Sequence, residues 1–147
     1  MSKTRISTPK IKFTRWILWK QRLFLKGIDY PGVYLLAHFR NKPEGKVNPK
    51  SKAIIYIGET NSSLRKRWEQ FNRAAFEGKQ GHSGGLRYRE VYVKKKKNLK
   101  NKQLYVAAFP VKDLDESIKP LFIRYIERKL IWQFVQKWGH APVCNSK

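Results

Sequence analysis

Gly32-Val33-Tyr34-Leu35-Leu36-Ala37 and, further along, Ala53-Ile54-Ile55-Tyr56-Ile57-Gly58 are the two stretches on which the fold turns. Both are apolar and rich in β-branched and aromatic residues, so each reads as a strand. Pro31 biases Tyr30 away from helix and marks where the first strand begins. Between the two, Arg40 to Lys52 is polar and broken by Pro43, Gly45 and Pro49, which makes it a loop. The pair is therefore expected to form a hairpin with a long basic tip.

Downstream, Glu59-Thr60-Asn61-Ser62-Ser63 supplies capping side chains, and Leu64, Trp68, Phe71 and Ala75 recur at i, i+4, i+7 and i+11. A helix follows the second strand. Gly78, Gly81, Gly84 and Gly85 punctuate the next turn, after which Leu86 to Val93 reads as either a short helix or a strand. The tract Lys94 to Lys102 is too charged to pack and is expected to be a mobile loop able to touch phosphates. Gln103 to Val111 reads as a third strand, and Pro120 opens a long helix that stops at Gly139. Upstream, Phe13, Trp16, Ile17, Trp19, Leu23 and Phe24 mix with Arg15, Lys20 and Arg22 at roughly helical spacing, which predicts an amphipathic helix over Phe13 to Lys26. Residues 1–12 are basic and broken by Pro9, a flexible arm; residues 13–147 then form one domain without an internal repeat or linker.

Lys and Arg number 33 against 10 Asp and Glu, a net charge of +23, which points to a polyanionic partner and to nucleic acid before a membrane surface. Charge says nothing of catalysis. An aromatic content of 14% with five Trp argues against disorder despite that charge. The single cysteine, Cys144, has no partner for an intramolecular disulfide and no paired zinc-site spacing, and no apolar run is long enough for a membrane span or a signal peptide. A cytoplasmic protein with no membrane partner is the expectation.

The chemistry gathers on few residues. Tyr34 and Tyr56 lie on the paired strands, Arg67 one turn into the following helix, and Glu127 is the only acidic residue inside the final helix, flanked by apolar positions. The tripeptides Gly32-Val33-Tyr34 and Tyr56-Ile57-Gly58 resemble the paired motif that names the GIY-YIG nuclease superfamily, with Val for Ile at the first site. The ordered set continues through Leu64-Arg65-Lys66-Arg67-Trp68, Gly81-His82-Ser83, Ile126-Glu127-Arg128 and Pro142 to Asn145, covering roughly residues 31–145.

The resemblance implies an α+β fold, a small three-stranded antiparallel sheet flanked by helices, to which this chain would add its N-terminal helix. It implies a one-metal hydrolytic site in which Tyr34 activates or positions the attacking water, Tyr56 lines the same site, Arg67 grips the scissile phosphate, Glu127 is the metal ligand and Asn145 supports the site. His82 resembles a histidine found after the arginine helix in some members; others place a histidine one turn past the arginine, where this chain has Phe71. Either Tyr34 or His82 is then the base.

Elementary chemistry is compatible with these roles. Phosphodiester hydrolysis needs neutralisation of shifting negative charge, which a guanidinium and a divalent ion supply. One carboxylate with several waters suits Mg²⁺ (or Mn²⁺) better than zinc. A phenol titrates near 10 and needs neighbouring positive charge to act as base, whereas imidazole titrates closer to neutral. The expectation is a Mg²⁺-dependent DNA endonuclease of restriction or mobile-element type, acting on duplex or branched DNA, with a homodimer on the substrate suited to double-strand cutting. The alternative is a non-catalytic basic nucleic-acid-binding protein on a nuclease-like scaffold.

Overall fold

The hairpin forms with β2 at Gly32–Phe39 and β3 at Ile54–Thr60, paired antiparallel so that Val33 faces Glu59, Tyr34 faces Gly58 and Leu35 faces Ile57. The computed structural model describes residues 5–95 and 99–145. A bulge between Leu36 and Ala37 shifts the register, so that Leu36 faces Tyr56 while Ala37 faces Ile54. On its other side β2 pairs with β4, Gln103–Pro110, also antiparallel. At Gly32 a Cβ would run into the backbone carbonyl of Phe109, so the start of β2 is pressed against β4 more closely than any other residue allows.

The sheet has four strands, in the order β1-β4-β2-β3, rather than the three expected. The additional strand, β1 at Ile17–Leu18, arises from the segment expected to be the N-terminal helix, which is instead extended and then closes in a 3₁₀ turn at Trp19–Phe24. The reason lies in alternation. Trp16 and Leu18 pack on one face of the sheet while Ile17 and Trp19 pack on the other, a period of two that the helical spacing of the more distant aromatics obscured. Thr14 locks the approach, its N–H donating to the Ala108 carbonyl at 2.7 Å and its hydroxyl accepting from the Ala108 N–H at 3.0 Å.

Three α-helices complete the α+β architecture: α1 at Leu64–Glu77, α2 at Ser83–Tyr88 and α3 at Lys119–Trp138. Ser63 caps α1, its hydroxyl accepting from the Lys66 N–H at 3.1 Å, and Gly78 and Gly139 end α1 and α3 in left-handed conformation. Leu86 to Val93 is helical: α2 runs into a π turn at Arg89–Lys94. The sheet divides two cores. Against α3 lie Val33, Leu35, Ala37, Ile57, Ile126 and Phe134; against α1 and α2 lie Tyr34, Leu36, Tyr56, Trp68, Phe71 and Tyr88. Residues 1–4 of the expected arm and 96–98 of the lysine tract lie outside the described residues. Among those described, no helix is long and apolar enough to cross a membrane.

Candidate active site

Strand pairing decides which side chains can meet, because residues directly opposite one another share a face of the sheet. Tyr34, Gly58 and Tyr56 are thereby placed on the α1/α2 face. Gly58 is where the two phenols approach: a Cβ there would sit 2.5 Å from the Tyr56 ring and 2.7 Å from the Tyr34 hydroxyl oxygen. The rings pack at 5.9 Å between centroids, Tyr34 fully buried beneath and Tyr56 at 9% exposure above. Gly84 does the same service for α2, whose backbone rides over Tyr56 with no room for a side chain, the ring carbon 2.5 Å from a hypothetical Cβ.

His82 is buried at 1% exposure, at the start of α2, between the Tyr56 and Phe71 rings. Its two nitrogens have distinct partners. Nδ1 accepts from the Gly85 N–H at 3.0 Å, capping α2, and Nε2 lies 2.9 Å from the Tyr34 hydroxyl. Because Nδ1 accepts, the proton of the neutral ring sits on Nε2 and is donated to the Tyr34 oxygen. Burial, reinforced by the Arg67 charge, pushes the imidazole down to about 3, so the ring is neutral at ordinary pH.

Arg67 reaches from α1 to donate to the Gln70 side chain at 2.8 Å and to the Gly81 carbonyl at 3.0 Å, tying α1 to the loop that presents His82. Burial raises Tyr34 well above a free phenol's value and pushes Tyr56 up to about 12, while Arg67 works against burial at both. Tyr34 also favours ionisation of Tyr56, and Tyr56 opposes ionisation of Tyr34. Negative charge is thus better tolerated on Tyr56, the phenol nearer solvent. Asn145 clamps the outer side of β3, its amide oxygen accepting from the Ile57 N–H and its amide nitrogen donating to the Ile57 carbonyl, both at 2.9 Å. Beside Tyr56 and Asn145 opens a cleft of about 710 Å³ lined by Ser83, Leu86, Arg87, Arg89 and the Lys94–Glu90 ion pair, a lining with more basic than acidic side chains.

Glu127 comes from the opposite side. It projects from α3 with a side chain 19% exposed and touches Arg128 at 3.5 Å. Burial and then the charge of Glu59 raise its carboxyl, and the charge of Glu127 in turn is felt at Tyr56. The structure thus brings Tyr34, Tyr56 and His82 into direct contact and places Arg67 where its charge acts on all three, whereas Glu127, on α3, is linked to this group only through the effect of its charge on Tyr56.

Glu59 is the member that sequence reading missed, where it served only as a capping residue. It pairs across from Val33, which belongs to the α3-side core, so its side chain rises on the α3 face toward Glu127. Its Oε2 is buried without a hydrogen-bond partner, a state that costs about 1–3 kcal/mol. The available signal was the alternation Ile57, Gly58, Glu59 along one strand. Among the described residues no three of His, Cys, Asp and Glu gather, but a magnesium ion asks for only one or two carboxylates with waters. An orphaned buried carboxylate oxygen on a residue whose charge acts on a second carboxylate fits such an ion. Comparison of the chain with protein-family models, with curated proteins and with solved structures returns no match.

Proposed function

We propose that the chain is a divalent-metal-dependent endonuclease acting on DNA, on the plan that its ordered motifs share with GIY-YIG nucleases. The observation that supports it most is the coupled group of Tyr34, Tyr56, His82 and Arg67, with Glu127 linked to it by charge, residues distant in sequence whose charges bear on one another. A basic cleft beside that group suits a phosphate backbone.

In this reading Arg67 neutralises the scissile phosphate, and its attachment to Gln70 and Gly81 holds the guanidinium in place. Tyr56, nearer solvent and eased toward ionisation by both Arg67 and Tyr34 against the larger effect of burial, orients the attacking water as a phenol and would take its proton only as the phenolate, becoming the neutral phenol again. Tyr34 backs it from beneath. His82 is a positioning residue and not the base, since its Nδ1 is engaged by Gly85 and its Nε2 carries a proton already given to Tyr34. Asn145 fixes the strand on which Tyr56 stands. Glu127 would hold Mg²⁺ or Mn²⁺, which when bound supplies positive charge to the phosphate oxygens and lowers the cost of a phenolate nearby.

Incubation of purified protein with plasmid and Mg²⁺ is expected to give nicked or linear product. Arg67→Ala, Glu127→Ala and Tyr56→Phe should each lower cleavage by about 10²–10³-fold while DNA binding survives. Tyr34→Phe should cost less than Tyr56→Phe. Cleavage that persists in both the Arg67 and Glu127 variants would sink the assignment. The rival reading, a binding protein without catalysis, is carried by the +23 charge alone and predicts binding with no cleavage of any DNA or RNA substrate.

A further inference from the structure

We propose that Glu59 shares the divalent cation with Glu127, so that two carboxylates, one from β3 and one from α3, hold it at the edge of the sheet. The inference rests on the reading of Glu127 as the metal holder and adds a second anchor to it. In a chain with 33 cationic side chains against 10 acidic ones, a half-buried carboxylate with one oxygen shut off from solvent is expected to have recruited a lysine or arginine. Glu59 has not: its Oε2 is buried without a hydrogen-bond partner, and none of the ion pairs among the described residues includes it.

Glu127 has one contact, the exposed Arg128 at 3.5 Å, with the charges of Arg128 and Arg124 acting on it from its own helix. The register of Glu59 opposite Val33 puts it on the sheet face that α3 covers, the helix that carries Glu127, close enough for the Glu59 charge to act on the Glu127 carboxyl. Two like charges held together where cations abound are accounted for by an ion bound between them. The hard oxygen donors and the absence of sulfur or imidazole ligands among them select Mg²⁺ or Mn²⁺ with its remaining positions left to water and phosphate. A purely structural acidic residue at this place would carry a basic partner, or would be at least as well replaced by an apolar one.

The test is Mn²⁺ binding by the full chain, followed through the electron paramagnetic resonance of free Mn²⁺, with melting temperature measured with and without the ion. Wild type should bind one Mn²⁺. Glu59→Gln should weaken that binding roughly tenfold or more, melt no lower than wild type without metal because one of two opposed charges is gone, and lose most of the metal-induced rise in melting temperature. Glu59→Asp, which keeps the charge, should bind between the two. If Glu127→Gln abolishes binding while Glu59→Gln binds as wild type does, the inference is overturned and the reading of Glu127 stands. If Glu127→Gln binds as wild type does, or wild type binds no Mn²⁺, both fall together.

Discussion

The two faces of the sheet are built from different materials. Toward α3 the sheet presents Val33, Leu35, Ala37 and Ile57, and the helix answers with Ile123, Ile126, Leu130 and Phe134; this cluster is mostly aliphatic, with Trp16 and Tyr105 its buried members that carry polar atoms. Toward α1 and α2 the sheet presents Tyr34 and Tyr56, met by Trp68, Phe71, Tyr88 and His82, so that hydroxyls and ring nitrogens lie deep in the packing. The first face stabilises by volume, the second by aim. An aliphatic core tolerates repacking as long as space is filled, whereas a polar aromatic core is held to one geometry by bonds such as Tyr34 to His82 and His38 to Tyr88, although the Trp68 indole N–H there is buried without an acceptor.

The largest effect that would sharpen this contrast is on the aliphatic side. Phe134→Ala, removing a ring that is 1% exposed, should destabilise by about 3–5 kcal/mol in denaturant titration, and at temperatures where the variant is folded its cleavage should remain near wild type. Next comes Gly58→Ala on the aromatic side. Its methyl would collide with both phenols, costing about 1–3 kcal/mol, and here cleavage should fall far more than stability; equal loss of both would break the distinction between the faces.

A smaller effect is read from pH. His82 is held near 3 in the folded protein and titrates near 6.5 when unfolded, so the unfolded chain takes up a proton across that window and the native one does not. Its contribution to stability is complete above about pH 6.5 and is lost as pH falls toward 3, by up to about 1.4 kcal/mol per pH unit. His82→Asn, which keeps an acceptor for Gly85, should show a shallower slope between pH 6.5 and 4.5 in urea melts; an unchanged slope would show that the ring is not held neutral. The smallest effect is expected for Asn145→Ala, about 1 kcal/mol for an exchange of backbone hydrogen bonds with water.

The hairpin, α1 and α3 were legible because their signals are local. Strand composition around Tyr34 and Tyr56, the Ser63 cap and the Pro120 and Gly139 boundaries act within a few residues. The segment around Trp16 was misread because two periods coexist there, and the edge of β4, invisible in the sequence, chose the extended one. His82 stands in the sequence among the glycines that mark a turn; only the closeness of α2, permitted by Gly84 and Gly85, makes it a buried partner of Tyr34. The influence of Glu59 on Glu127 belongs to tertiary structure entirely, since nothing in the spacing of a strand residue and a helix residue states that α3 crosses just there.

One consequence of the Asn145 clamp concerns assembly. β3 is the outermost strand on its side, and such a strand would otherwise offer its open backbone groups as a template for another chain. At Ile57 that position is already taken by a side-chain amide mimicking a neighbouring peptide, so a foreign strand seeking to dock in register meets a plug in the middle of the run. Where copies of the chain are crowded together, that plug guards them against zipping sheet to sheet.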